Sequence, residues 1–191
     1  GITMEKVNFS YHDTNRGIYD LSIKLEKNKI FWEFAVEIEK ENHQLQPETI
    51  AEASLSLEYP LVVKVGKSRL TIGTKEEFLY RRLAIQASRK RTQAGVTYAK
   101  SGKGRTRKLK ALDKMSQLER NYVHNRLHVY SRKLIDFCIN NKAGTLILLD
   151  QEEKMELAKE EEFVLRNWSY YELMTKIKYK ADKAGIELII A

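Results

Sequence analysis

The sequence has one cysteine, Cys138, two prolines, and no apolar run near the roughly 20 residues that a bilayer span requires. A single cysteine excludes an intramolecular disulfide and any thiolate-rich zinc site built from this chain alone. It fits a reducing compartment, so a cytoplasmic location is expected. The longest apolar stretches, residues 146–149 and 186–190, have the length of strands, and no secretory leader pattern opens the sequence, so a membrane is not an expected partner. Negative charge is missing altogether from residues 78–112, where no Asp or Glu occurs.

That window is crowded with cations: Arg81, Arg82, Arg89, Lys90, Arg91, Lys100, Lys103, Arg105, Arg107, Lys108 and Lys110. The chain carries 34 Lys and Arg against 26 Asp and Glu, for a net charge of +8, and outside this window acids outnumber bases. The whole excess therefore sits in one segment. A solubilising surface mixes signs, whereas a segregated block attracts polyanions and gains affinity by releasing their counterions. The bland alternative is a solvated helix face followed by a flexible loop; segregation favours nucleic-acid binding.

At 191 residues, 42% hydrophobic and 9% aromatic, the chain suits one folded domain with a small appendage. Residues 18–26 and 30–39 alternate apolar and polar positions (Tyr19, Leu21, Ile23, Leu25; Trp32, Phe34, Val36, Ile38) about a turn at 27–29, a β-hairpin. Residues 41–49, with Pro47, read as a connector. Three short strands are expected at 53–57, 61–65 and 69–72, joined by turns at Tyr59-Pro60 and Gly66-Lys67-Ser68 into an antiparallel meander. A helix is expected over 75–94, ended by Gly95, then a basic flexible loop over 99–108.

A longer helix follows over 109–141 on the spacing of Leu109, Leu112, Met115, Leu118, Tyr122, Leu127, Tyr130 and Leu134, with Gly144 beyond its end. Residues 145–149 form a continuous apolar run, the signature of a strand buried on both faces. Ser169 and Glu172 have capping-box spacing ahead of a helix over 170–184, which Gly185 ends before a last strand at 186–190. The order is thus an α/β one: a hairpin over 1–49, then over 50–191 a three-strand meander, a basic helical insertion at 75–142, and a strand, helix and strand. It is the order of an RNase H-like mixed sheet, with three antiparallel and two parallel strands flanked by helices.

Several strings in that order resemble the RuvC domain of transposon-encoded TnpB proteins and type V CRISPR effectors, which are RNA-guided nucleases. They are Arg81-Arg82-Leu83-Ala84-Ile85-Gln86-Ala87, Ser101-Gly102-Lys103-Gly104-Arg105-Thr106-Arg107, Leu127-His128-Val129-Tyr130-Ser131-Arg132-Lys133-Leu134, Gly144-Thr145-Leu146-Ile147-Leu148, and Leu165-Arg166-Asn167-Trp168-Ser169-Tyr170-Tyr171. The resemblance implies an RNase H-like fold, guide RNA and DNA as partners, and two-metal phosphodiester hydrolysis, in which acidic side chains hold a pair of Mg²⁺ ions.

The match fails at those acids. Ser54 falls where the family carries the first-strand Asp, and the fourth strand ends Leu149-Asp150, keeping one acid of a usual pair. The sequence ends at Ala191 after the fifth strand, so the expectation is that the last carboxylate and the zinc ribbon of many relatives are absent. Asp150 remains the single weak catalytic candidate, with a strand-ending turn residue as its ordinary role. Glu52 or Glu58 could substitute only if the strand register were shifted.

Other constellations carry less. His124 and His128 lie four apart on a helix but lack a third ligand, and ordinary helix histidines are expected. Trp168, Tyr170 and Tyr171 suit core packing better than base stacking, and Cys138 an inert core position. The expectation is a nuclease-inactive RuvC-like domain that binds RNA or an RNA–DNA hybrid through its eleven cations, without cofactor, Mg²⁺ being needed only by an active enzyme. Two alternatives stand beside it: one component of a split Mg²⁺-dependent nuclease whose missing acids come from a partner chain, and a protein-interaction module.

Overall fold

The computed structural model describes residues 18–26, 29–36, 39–54, 59–98, 101–149 and 170–191. The chain divides into two units, residues 1–40 and 41–191. The first contains the expected hairpin, β1 (Ile18–Glu26) paired antiparallel with β2 (Lys29–Val36) in the register Leu25↔Ile30 and Ile23↔Trp32. The division falls nine residues before the 49/50 boundary read from sequence, because Gln46 to Thr49 belong to a strand of the second unit.

That strand is β3 (Gln46–Ser54), and the 41–49 connector is corrected accordingly. Pro47, lacking an N–H, reads as a strand breaker in isolation. Here its carbonyl accepts a hydrogen bond from Thr145 Oγ1 at 2.7 Å, while the Gln46 N–H donates to Lys142 O at 2.9 Å. β4 (Leu61–Val65) and β5 (Ser68–Ile72) complete the meander, and β6 (Ala143–Leu148) and β7 (Glu187–Ile190) follow later in the chain. The sheet order is β5-β4-β3-β6-β7, antiparallel from β5 to β3 and parallel from β3 to β7. The first strand of the second unit is therefore central and pairs with the fourth, as the RNase H-like reading requires.

Among the described residues three helices accompany the sheet: α1 (Lys75–Tyr98), α2 (Lys103–Asn140) and α3 (Tyr170–Ala184). α1 starts at Thr74, whose hydroxyl accepts the Glu77 N–H at 3.1 Å, the capping that Thr-x-x-Glu spacing provides. α3 ends as expected at Gly185, at φ +76°, with Ile186 N–H on Ala181 O and Gly185 N–H on Asp182 O, a Schellman closure that favours glycine. Leu127, Tyr130, Leu134 and Cys138 of α2 and Leu173, Ile177 and Ala181 of α3 bury their apolar stripes against Ala51, Ala53, Val63, Leu146 and Leu148 of the sheet. Burial pushes the Cys138 thiol up to about 12, consistent with an inert core residue. No helix among the described residues is long and apolar enough to cross a membrane.

Two glycines play parts other than those read from sequence. Gly95 does not end α1, which continues to Tyr98. Gly144 lies inside β6 rather than just past α2, and the left-handed position after α2 is taken by Lys142 at φ +55°. A Cβ on Gly144 would lie 2.8 Å from the backbone of Gln46 and Pro47, so this glycine permits β3 and β6 to close together at their start. Gly144→Ala is expected to destabilise the fold by about 1–3 kcal/mol, measured by urea unfolding, because rigid backbone must move to admit one methyl. An unchanged midpoint would show that the pairing at Gln46 is dispensable.

Candidate nucleic-acid interface

Four residues separate α1 from α2, too few for anything but an antiparallel return, and the cross-contacts run in opposite senses along the two helices. Glu77 meets Tyr122 and Arg126, Arg82 meets Glu119, Thr92 meets Met115, and Gly95 meets Lys108. At 1.5 Å per residue the 24 residues of α1 span about 36 Å. All the buried residues of α2 lie from Val123 onward, and beyond Arg82 only Val96 of α1 is buried. The distal part of this hairpin is therefore an arm that contributes almost nothing to the core.

The arm carries the acid-free segment. Arg81, Arg89, Lys90, Arg91, Lys103, Arg105, Arg107 and Lys110 are exposed on it, Lys108 is half-buried, and Lys100 lies outside the described residues. At 100° per residue, Arg89, Lys90 and Arg91 point to different sides of α1. The cations thus form a positive sleeve around the arm rather than a single stripe. The expected basic loop over 99–108 is corrected, since α2 already begins at Lys103 behind Gly102 at φ +87°. Helix formation there places Arg105, Arg107, Lys108 and Lys110 on a firm framework.

Not every cation in the segment is displayed. Arg82 turns inward: its Nε donates to Glu119 Oε1 at 2.8 Å, and Gln86 Nε2 donates to the same oxygen at 3.1 Å. Burial alone would raise the Glu119 carboxyl, but the bonds from Arg82 and Gln86 and the nearby Arg89 charge hold it below its ordinary value. Lys108 Nζ donates to Gly95 O at 2.8 Å and Arg105 Nη1 reaches Val96 O at 3.5 Å. Those carbonyls belong to the last turn of α1, which has no basic residue of its own. Cations from α2 therefore complete the negative end of α1. Sequence reading grouped Arg82, Arg105 and Lys108 with the free cations because their partners lie nine to 37 positions away.

Between the arm's base and α3 lies a polar cleft of about 480 Å³, its walls including Arg82, Gln86, Arg89, Glu119, Arg120 and Glu172. Sequence reading missed it, since Arg120 follows the acid-free window and Glu119 reads there as a surface acid. Below it His124 Nδ1 sits 2.7 Å from Glu172 Oε1, Lys176 Nζ lies 3.2 Å from the same oxygen, and the His124 and His128 rings meet edge to face at 4.6 Å. Among the described residues no group of three or more His, Cys, Asp or Glu could hold a metal.

Burial, then the charges of Lys176, Lys180 and His124, hold the His128 imidazole below its usual 6.5, with Glu172 opposing. The unfolded chain therefore takes up this proton at higher pH than the folded one, and stability falls as pH drops below about 6.5. Glu172, also held low, adds a further loss once pH falls through the ordinary carboxylate range. The urea midpoint is expected to be lower at about pH 5.5 than at about pH 7.5, with His128→Gln narrowing the gap; an unaltered gap would assign the acid sensitivity elsewhere.

At the ends of β3 and β6, Ala53 is paired with Leu148, and the Leu149 N–H donates to Ala53 O at 3.0 Å. This register places Ser54 beside Leu149, next to the end of β6, on the face away from α2 and α3. Glu52 is ion-paired with Lys64 of β4 at 3.2 Å, with Ser54 opposite Val62, so no slip brings Glu52 to the Ser54 position. Asp150, Glu58, Trp168 and Ser169 lie outside the described residues. Tyr171 is 86% exposed, against the expectation that the 168–171 aromatics pack in the core.

No family model matches the sequence. Two CRISPR-associated endodeoxyribonucleases named Cas12f1 do: that of Sulfoacidibacillus thermotolerans is 33% identical over 91 residues, covering 48% of this chain and 21% of the relative. That of Syntrophomonas palmitatica is likewise 33% identical over 91 residues, covering 48% and 18%. Over about half its length the chain is a homologue of Cas12f1. It spans about a fifth of the length of these Cas12f1 relatives. The fold agrees: a cryo-EM structure of a Cas12f1–sgRNA–target DNA complex superposes with a TM-score of 0.66 at 23% identity, covering 88% of this chain and 34% of that one. A Cas12f ternary complex gives 0.62 at 21%, with the same coverages.

Proposed function

We propose that this chain is a nucleic-acid-binding, nuclease-inactive RuvC-like module of the cytoplasm, related to RNA-guided effectors, that holds RNA or an RNA–DNA hybrid against the α1–α2 arm. The observation that carries the reading is the arm itself: at least eight exposed cations on a helical hairpin that buries almost no core. Charge gathered there repels itself and adds nothing to packing, so a polyanionic ligand is what balances it. Support comes from the superposable Cas12f1 structure, which was solved as a complex with sgRNA and target DNA. Contacts would go chiefly to phosphates, with sequence left to base pairing by a guide.

Inactivity as a nuclease is inferred from Ser54. A neutral hydroxyl in the first-strand position does little to neutralise two divalent ions. The test is affinity for a labelled RNA hairpin and an RNA–DNA hybrid across a salt series. A log–log slope near zero, or no nucleic acid bound at low salt, would remove the reading and leave the hairpin-based protein-interaction alternative. Mg²⁺-dependent cutting of labelled DNA by the purified chain, lost in Asp150→Ala, would instead establish the enzyme reading; no cutting is expected.

A further inference from the structure

The cleft at the base of the arm has features a phosphate-gripping surface does not need. The Arg82–Glu119 pair at its floor is largely withdrawn from water, with side chains 8% and 13% exposed. Both hydrogen bonds to Glu119 fall on Oε1, and no bond among the described residues engages Oε2. Glu172 likewise spends Oε1 on His124 and Lys176, with no bond to Oε2 among the described residues. Arg89 and Arg120 are exposed in the walls of the same cleft. Its volume lies within the range of roughly 300–1,000 Å³ common to small-ligand pockets.

This mixture selects a ligand. A bare phosphate would meet Arg89 and Arg120 but also two carboxylates, and a simple cation the reverse. A nucleotide satisfies both, with hydrogen-bond donors on its base edge and anionic oxygens on its phosphates. Among the four bases guanine presents two adjacent donors, N1–H and N2–H, to a carboxylate, where adenine and cytosine offer one amino group and uracil one imide N–H. We propose that the cleft between α1, α2 and α3 accepts one unstacked guanosine of a bound strand, its donor edge on Glu119 Oε2 and its flanking phosphates on Arg89 and Arg120. The proposal rests on the arm's nucleic-acid-binding role, which brings the strand to the cleft mouth. It adds base preference to a surface that otherwise reads only backbone.

The test compares a heptauridylate with the same strand carrying guanosine at its centre, by fluorescence anisotropy at one salt concentration. The guanosine strand is expected to bind about tenfold more tightly, in line with one well-made two-point base contact. Two variants should abolish that preference while leaving heptauridylate affinity unchanged. Glu119→Gln keeps an acceptor for Arg82 and Gln86 but replaces the unengaged oxygen by a donor. Ser116→Phe fills the cleft without touching the ion pair, and thermal unfolding confirms that both variants are folded. Equal binding of the two strands by the unaltered protein, or a preference that survives in both variants, would overturn the pocket and leave the arm reading intact. If neither strand binds, the arm reading falls, and the pocket with it.

Discussion

Replacing Arg91, Lys103, Arg107 and Lys110 together by alanine is expected to weaken binding of RNA by about 100-fold or more at roughly 0.1 M salt. Each phosphate that is no longer neutralised takes about 0.7–0.9 from the salt slope, which at that concentration is worth a factor of roughly five to eight. Four phosphates therefore bound the effect at roughly a thousandfold, less if some of the four cations sit on the side of the arm that the ligand leaves free. These four are exposed and carry none of the hydrogen bonds that tie α2 to the end of α1, so the thermal midpoint should hardly move. Choosing Arg105 and Lys108 instead would confuse the outcome, because they satisfy carbonyls of Val96 and Gly95. Unchanged affinity with an unchanged salt slope would show that the sleeve is solvated charge and nothing more.

The second large effect concerns stability. Glu119→Leu should destabilise the protein by about 3 kcal/mol, because it removes a carboxylate that accepts hydrogen bonds from both Arg82 and Gln86 at a site where the side chains are only 8% and 13% exposed. For a chain of this size that corresponds to a fall of roughly 10 °C in the unfolding midpoint. Arg82→Met combined with Glu119→Leu should cost far less, since an apolar pair of similar volume removes both desolvation penalties at once. A double variant as unstable as Glu119→Leu alone would mean that Glu119 matters through Gln86 or through packing rather than through Arg82. Limited proteolysis of the single variant is expected to cut first within the arm, where beyond Arg82 only Val96 of α1 is buried and the remaining ties between α1 and α2 are polar contacts at its far end.

Much of the architecture could be read from local pattern. The β4–β5 pair, the α3 helix with its Gly185 stop, and the two-sided apolar run of β6 each depend on residues adjacent in the chain and appear within a few residues of where they are expected, whereas the strand expected at 53–57 is β3, Gln46–Ser54. Errors cluster where a distant partner overrides a local signal. Pro47 and its neighbours look like a connector until β6 supplies parallel pairing, and Gly95 looks like a helix stop until α2 packs alongside it. Residues 103–108 look like a loop because glycine and like charges disfavour an isolated helix; their capping contacts to α1 exist only once the chain has turned back.

The same division runs through the candidate site. Segregated charge is a property of composition along the chain, and Ser54, standing where the resemblance implies a first-strand acid, is a property of one position, so both are legible in the sequence alone. Which cations face solvent is not: Arg82 and Arg81 are neighbours in sequence, and only the antiparallel return of α2 buries one against Glu119 and leaves the other exposed. Likewise Glu119, Arg120 and Glu172 join Arg89 around one cleft solely because three helices meet there. Charge and periodicity act over a few residues and are written in the chain, whereas burial and ion pairing depend on contacts across dozens of residues that exist only in the folded state.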